Sequence, residues 1–100
     1  MGYAIKLSPK AANKLATVPR SLLEDVASEL ERLALNPRKL GRKTVSPPFP
    51  VTIEHLYGFH FRHEEETHYF TVFFLYSDDD TFLYVTDITI NPAFSVLDRN

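Results

Sequence analysis

Two histidines, an arginine and an aspartate in the second half of the chain have the side chains that acid–base chemistry on a phosphate ester requires. Histidine exchanges a proton near neutral pH, and the planar fork of N–H donors on arginine binds phosphate. His60 and Arg62 are two positions apart, so on a strand they would share one face, roughly 7 Å apart. His68 follows across a predicted hairpin, where it could approach Arg62, and Asp87 lies on the last predicted strand. These four residues are our candidate catalytic cluster.

The same residues also have simpler explanations. Histidines beside a glutamate-rich turn are often plain surface residues, and Arg62 could pair with Glu64, Glu65 or Glu66 in surface ion pairs that contribute ~0–1 kcal/mol. The chain has four histidines, but strand alternation scatters them and they include no helical pair spaced for metal ligation. We therefore predict neither a metal nor any other cofactor.

Three runs rich in aromatic and β-branched residues must position the candidate cluster. They cover Leu56 to Arg62, Thr67 to Tyr76 and Thr81 to Ile90, and charged turns separate them. Their period of two predicts strands, and the middle run is apolar on both faces, as in a central strand. One face carries the predicted core aromatics, which are Tyr57, Phe59, Phe61, Phe70 and Phe74. The other face carries Tyr69 and Phe73, which could stack on nucleic-acid bases or form an interface patch.

The first half of the chain predicts one short strand and two helices. Tyr3, Ile5 and Leu7 alternate as in a strand, and Ser8-Pro9 is a strong helix start. The second helix is predicted from the capping-box spacing at Ser21 to the stop at Asn36-Pro37. We expect one α+β domain over residues 1–100, with the order β-α-α-β-β-β, a loop at 37–55 and a tail at 91–100. In this architecture an antiparallel helix pair covers one face of a mostly antiparallel, twisted four-stranded sheet.

Charge is distributed unevenly along the chain. Residues 1–45 contain nine Lys/Arg and four Asp/Glu, whereas residues 46–100 contain two and nine, which excludes a uniformly basic nucleic-acid binder. A local basic patch is still available in the predicted loop, and with Tyr69 it forms our candidate nucleic-acid-binding set: Arg38, Lys39, Arg42, Lys43 and Tyr69. The alternative is that this basic run is a solvated loop.

The absence of cysteine and of long apolar runs limits both the expected cellular compartment and the possible chemistry of the chain. The chain has no cysteine, so disulfides, thiolate zinc sites and cysteine nucleophiles are excluded. No apolar run approaches the ~20 residues of a membrane span. These observations predict a cytoplasmic protein that does not interact with a membrane.

The ordered set of segments resembles the RelE/ParE toxin superfamily over residues 3–92. Ile5–Ala11 is similar to the first strand and helix start of that family, and Leu30–Pro37 to the end of its second helix. Leu56–Arg62 with His68–Phe74 resembles its central hairpin, and Phe82–Asn91 its last strand. Members are small cytoplasmic toxins, each paired with a cognate antitoxin. One branch cleaves messenger RNA in the ribosome, and another blocks DNA gyrase and lacks the nuclease residues.

The resemblance also implies where functional residues should lie. The RNase branch carries cationic or acid–base side chains on the second, third and fourth strands and often a C-terminal tyrosine, whereas this chain has Thr71, Asn91 and Phe94 at the last three of those places. The implied function is a toxin with a diverged ribonuclease site around His60 and Arg62. The alternative is a non-enzymatic binding protein on the same scaffold, either gyrase-directed or an inactive relative. A third hypothesis is an interaction module unrelated to toxins.

Overall fold

The computed structural model describes residues 2–44 and 54–94, with all their side chains except those of residues 43, 44 and 54. The elements in chain order are β1 (Ala4–Leu7), α1 (Pro9–Leu15), α2 (Arg20–Leu35), α3 (Pro37–Leu40), β2 (Arg42–Thr44), β3 (Glu54–His63), β4 (Glu66–Tyr76) and β5 (Phe82–Asn91). Within the described residues the strands form one sheet in the order β1-β5-β4-β3-β2. The β1–β5 pair is parallel and the others are antiparallel. The predicted α+β class is confirmed.

The four predicted strands are confirmed as β1, β3, β4 and β5, and β2 adds a fifth strand to the sheet. Both β2 and α3 lie inside the stretch predicted as a loop. Helix α3 is a single turn, and β2 pairs with the start of β3, with Arg42 opposite Leu56. Elements of three or four residues are too short to show an apolar period, so the sequence carries no signal for them. Residues 45–53 of the predicted loop and 95–100 of the predicted tail lie outside the described residues.

The two helix starts differ in how they are capped. The Ser8 hydroxyl accepts a hydrogen bond from the Ala11 N–H at 3.0 Å, and Pro9 follows it in the first helical position, as predicted. The predicted capping box at Ser21 is wrong, because α2 begins at Arg20 with Pro19 as its N-cap and no side-chain cap. The Pro19 carbonyl accepts the Leu22 N–H instead, at 2.9 Å. Proline fixes φ, which organises this helix start without a capping side chain.

One apolar stripe of α2 and one face of the sheet form the core. The buried α2 residues recur at helical spacing and are Leu22, Val26, Leu30 and Leu33. The fully buried sheet residues include Phe70, Val72 and Phe74 of β4. Tyr57 is also buried, and its hydroxyl donates a 2.6 Å hydrogen bond to Glu29 Oε1 of α2. Each buried apolar side chain contributes about 1.5–3 kcal/mol, which explains why the helix stripe and the sheet face meet.

Helix α1 covers part of an otherwise open sheet edge. Strand β1 ends at Leu7, which lies opposite Val85, so no strand among the described residues pairs with the rest of β5 on that side. The Ser8 hydroxyl donates to the Thr86 carbonyl at 2.7 Å, and Lys14 Nζ donates to the Ile88 carbonyl at 3.3 Å. Side chains thus satisfy carbonyls that a strand would otherwise pair. Helix α1 packs mainly on β5 and β1, and α2 packs on β1 and β3. Each helix therefore contacts the sheet more than it contacts the other helix.

The connection between β3 and β4 is a tight turn made of charged residues. His63 lies opposite Glu66, so Glu64 and Glu65 form a two-residue loop, with φ of 48° and 68°. Positive φ at both positions matches the type I′ geometry that suits the twist of a hairpin. None of the helices among the described residues has the length and apolar character needed to cross a membrane.

Candidate functional site

The sheet face turned away from the core, which we call the outer face, carries most of the candidate residues. Residues directly opposite each other in antiparallel strands share a face. His60 lies opposite Tyr69, and Tyr69 lies opposite Asn91 on its other side. The residues that this register places on the outer face include Leu56, Gly58, His60, Arg62, Thr67, Tyr69, Thr71, Phe73, Asp87, Thr89 and Asn91.

His60, Tyr69 and Arg62 form the part of the outer face that is equipped for chemistry. The rings of His60 and Tyr69 lie side by side across β3 and β4, with centroids 5.5 Å apart and planes at 42°. Tyr69 is 59% exposed, and His60 is exposed as well. Arg62 is also exposed, two positions from His60 on the same strand. The site therefore combines an accessible imidazole, an aromatic ring and a guanidinium.

Arg62 lacks the ion pairs suggested as its simpler explanation. Among residues 2–44 and 54–94, no carboxylate forms a salt bridge with its guanidinium. The turn carboxylates of Glu64 and Glu66 instead lie 3.9 Å from His63 Nε2 and 3.6 Å from His68 Nε2. Within the described residues, the guanidinium of Arg62 therefore has no carboxylate partner.

His68 does not join this site, so the predicted approach to Arg62 is wrong. Arg62 lies opposite Thr67, and a shift of one residue along β4 turns His68 to the core face. His68 is 1% exposed, and its Nδ1 lies 2.6 Å from the Pro92 carbonyl oxygen. A carbonyl only accepts, so Nδ1 carries the proton of this bond. His68 therefore has a structural role, because it binds the chain segment that follows β5.

Asp87 shares the outer face with His60 but lies far from it. Asp87 is opposite Phe73, four positions from the Tyr69 that faces His60. Four residues along a strand cover roughly 13 Å, and two strand spacings add roughly 10 Å across the sheet, so the separation is roughly 16 Å. Asp87 instead binds two lysines of α1, Lys10 at 3.3 Å and Lys14 at 3.6 Å. The four predicted catalytic residues therefore occupy three separate places.

Lys10 and Lys14, which contact Asp87, are not among the functional residues predicted from the sequence. Lys10 and Lys14 are four positions apart, which puts them on one side of a helix. That spacing was the only available signal, because the partner Asp87 lies more than seventy residues later in the chain. Within the described residues, no group of three histidines, aspartates or glutamates is arranged to hold a metal ion.

The predicted basic patch lies at the other end of the sheet from His60. Arg38 donates to Asp80 Oδ1 at 3.1 Å and to the Tyr3 hydroxyl at 3.4 Å, and its guanidinium lies 4.5 Å from the Tyr76 ring centre. The pKa of Arg38 is raised, first by the hydrogen bond with Tyr3 and then by electrostatic interactions with Tyr3 and Asp80. Arg38 is thus engaged in contacts within the chain.

The remaining members of that patch are not gathered beside the imidazole. Lys39 and Arg42 are exposed, and the Lys43 side chain lies outside the described part of the structure. Arg42 is opposite Leu56, four positions before His60 on β3 and so roughly 13 Å away along the strand. Of the predicted nucleic-acid-binding residues whose side chains the structure describes, only Tyr69 lies directly beside His60.

Comparison with known proteins shows similarity in structure and not in sequence. No protein-family model and no curated protein matches the chain. Among solved structures, a chain of the RelBE2 toxin–antitoxin complex from Mycobacterium tuberculosis superposes with a TM-score of 0.59 at 15% identity, covering 88% of this chain and 96% of that one. Escherichia coli toxin RelE, solved in the free state as a double arginine-to-alanine mutant, gives a TM-score of 0.56 at 13% identity, covering 88% of this chain and 82% of that one. The chain therefore has the scaffold of the RelE-like toxins.

Proposed function

We propose that this protein is the toxin of a toxin–antitoxin pair and that it acts on RNA with its outer face. The scaffold supports the first part, since one structural neighbour is the toxin RelE and the other is a chain of the RelBE2 toxin–antitoxin complex. The second part depends on one observation, the exposed His60–Tyr69 pair beside an Arg62 whose charge no described residue neutralises. The substrate we infer is messenger RNA in the ribosome, and the compartment is the cytoplasm.

Each of the three residues has a distinct role in this proposal. Cleavage joins the 2′-oxygen of one nucleotide to the phosphorus and breaks the bond to the 5′-oxygen of the next. The 2′-hydroxyl loses a proton, and the leaving oxygen gains one. His60 exchanges one of these protons, Arg62 stabilises the charge that builds on the phosphate oxygens, and Tyr69 stacks on a base. Because His68 is buried and Asp87 is distant, the other proton transfer is assigned to solvent or to the ribosome.

The antitoxin is proposed to cover the same surface. Tyr69 and Phe73 lie on one face of the central strand, and Tyr69 is 59% exposed. An antitoxin segment that docks on this aromatic pair would remove the apolar surface from water. It would also block access of RNA to His60, so binding of the antitoxin would inactivate the toxin.

The test is induction of the chain without its antitoxin, followed by incubation of the purified chain with a ribosome-containing extract. We expect growth arrest and new messenger-RNA fragments. His60→Ala and Arg62→Ala should each lower the cleavage rate by about 100-fold or more, the lower range for loss of one acid–base or charge-stabilising group. Arg20→Ala, at an exposed arginine on α2, is the matched control and should cleave at the unaltered rate. Cleavage that survives both site substitutions would contradict the proposal.

A second candidate function is a non-enzymatic binding protein on the same scaffold, directed at DNA gyrase or inactive. The observation that favours it is the neutral surface formed by Thr71 and Asn91 on the outer face. The resemblance implies cationic residues at these two places in the RNase branch. This function predicts no fragments in the ribosome-containing extract. A gyrase-directed protein would inhibit supercoiling by purified gyrase, and an inactive relative would leave both assays unchanged.

A further inference from the structure

We propose that Lys10 and Lys14, held in place by Asp87, form a second phosphate-binding site that holds the RNA strand at a distance from His60. This inference builds on the proposed action on RNA, and it names single-stranded RNA as the form that binds. It also gives Asp87 a role in positioning the two lysines, whereas the sequence suggested a role in catalysis.

The two lysines reach the outer face because α1 lies along the edge of β5. The Ile88 carbonyl accepts a hydrogen bond from Lys14 Nζ at 3.3 Å, which fixes that ammonium against the strand. Lys10 is one helical turn earlier on the same side of the helix. Lys10 lines a shallow pocket together with outer-face residues Phe73, Asp87 and Thr89. The ammonium groups therefore lie beside the surface that contains His60 and Tyr69.

The charge of this group is suited to an anionic ligand. Asp87 Oδ1 accepts the Ile88 N–H at 2.8 Å and lies 3.6 Å from Lys14, and Oδ2 lies 3.3 Å from Lys10. Two ammonium groups and one carboxylate leave a net charge of one positive unit. The Lys10 side chain is 68% exposed and that of Lys14 is 42% exposed. An ammonium has three donors, so both lysines keep N–H groups for a phosphate while they contact Asp87.

The distance between the two sites indicates the length of the ligand. His60 and Asp87 are roughly 16 Å apart by the sheet register, and the surface between them contains the neutral side chains of Thr71, Phe73 and Thr89. A few nucleotides of extended single strand cover such a distance, and single-strand sites of ~4–16 nucleotides with an aromatic platform are common. One phosphate would bind at Arg62 and another, several nucleotides away, at Lys10 and Lys14.

Binding of fluorescent single-stranded RNA of two and twelve nucleotides to the purified full chain tests this site. Lys10→Gln with Lys14→Gln should weaken 12-mer binding by about tenfold and lower the salt slope by about 0.7, the value for one lost phosphate contact. The same change should leave binding of the dinucleotide at the His60 site unaltered, because its single phosphate cannot occupy both sites. Asp87→Asn should weaken 12-mer binding, because the two ammonium groups lose the carboxylate that positions them. Arg20→Gln with Arg32→Gln, on α2, is the control of equal charge change and should have little effect.

A single-lysine variant and a separate cleavage assay distinguish the possible outcomes of this test. Lys10→Gln alone leaves the bond from Lys14 to the Ile88 carbonyl intact, so it should give about half the slope change without affecting folding. Equal losses for both RNA lengths, an equal loss in the α2 control, or absence of RNA binding by the unaltered chain would each overturn the proposal. Cleavage by His60→Ala is scored separately, so failure of the proposed function is distinguishable from failure of this site.

Discussion

The ring of His68 stacks on the ring of Phe94, with centroids 3.9 Å apart and planes at 20°. The His68 Nδ1–H bond to the Pro92 carbonyl, at 2.6 Å, accompanies this stack. Both contacts join the interior of β4 to the chain that follows β5, and Phe94 is itself buried. The histidine that the sequence suggested for catalysis thus holds the segment after β5 against the core.

Substitution of His68 should therefore affect stability and not the chemistry of the outer face. His68→Ala removes a fully buried ring and its hydrogen bond, so we expect the free energy of unfolding to fall by about 2–4 kcal/mol. His68→Phe retains a ring against Phe94 but leaves the Pro92 carbonyl without its donor, for a loss of about 1–3 kcal/mol. His60→Ala, at an exposed position, should stay within ~0.5 kcal/mol. Urea denaturation of the three variants measures these values, and equal stability of His68→Ala and His60→Ala would contradict this role.

A glycine contact at the start of β2 gives a second prediction. A Cβ added to Gly41 would lie 2.7 Å from Phe74 Cζ and 2.8 Å from the Pro37 carbonyl oxygen, so Gly41→Ala must displace a buried ring or the α3 backbone. Such overpacking costs about 1–3 kcal/mol. The control is Gly58→Ala, whose Cβ would meet the Phe70 carbonyl at an ordinary 3.7 Å. Thermal unfolding should show a lower midpoint for Gly41→Ala alone, and a similar drop in both variants would refute the argument.

The Tyr57–Glu29 hydrogen bond predicts a dependence of stability on alkaline pH. Burial, followed by the hydrogen bond to Glu29 and the charge of that carboxylate, raises the pKa of Tyr57. A raised pKa in the folded state means that the contribution is fully present below the unfolded value of ~10 and is lost as pH rises through the folded value. At pH 7, Tyr57→Phe should lower the free energy of unfolding by about 1–2 kcal/mol through loss of the bond.

The difference between Tyr57→Phe and the unaltered chain should shrink above pH 10, because phenylalanine cannot ionise. Denaturant unfolding from pH 7 to 11 measures this difference. Tyr84→Phe, at a partly exposed tyrosine on β5, is the matched control and should give parallel curves. A Tyr57→Phe difference that stays constant with pH would contradict the assigned cause.

Much of the fold follows from patterns that a single sequence contains. The alternation in β3, β4 and β5 depends on burial of one face, so it could be predicted over long segments. That alternation also gives His68 the same side as Phe70 and Phe74, which already implies its burial. The short α3 and β2 could not be predicted from a repeating pattern of apolar residues. Their formation depends instead on contacts between distant segments, such as the close approach of Gly41 to Phe74.

The site was predictable only where its residues are close in sequence. His60 and Arg62 share a face by strand period alone, and the two-residue turn then sets Tyr69 opposite His60. The group of Lys10, Lys14 and Asp87 depends on the parallel β1–β5 pair, which joins segments about eighty residues apart. No pattern within either segment records that pairing, so the structure was needed to find the group.

The centre of the outer face offers a test by gain of function. The resemblance to the RelE/ParE superfamily suggests that Thr71 stands where the RNase branch has an arginine. Thr71 lies opposite Gly58, which has no side chain to block a longer one. Thr71→Arg should therefore fit on the outer face and add a cation between the His60 site and the Lys10–Lys14 site. We expect tighter binding of a single-stranded RNA 12-mer and a salt slope larger by about 0.7, the value for one further phosphate contact. Thr71→Gln, which adds length without charge, should leave the slope unchanged, and an equal response of the two variants would show that RNA does not cross the centre of this face.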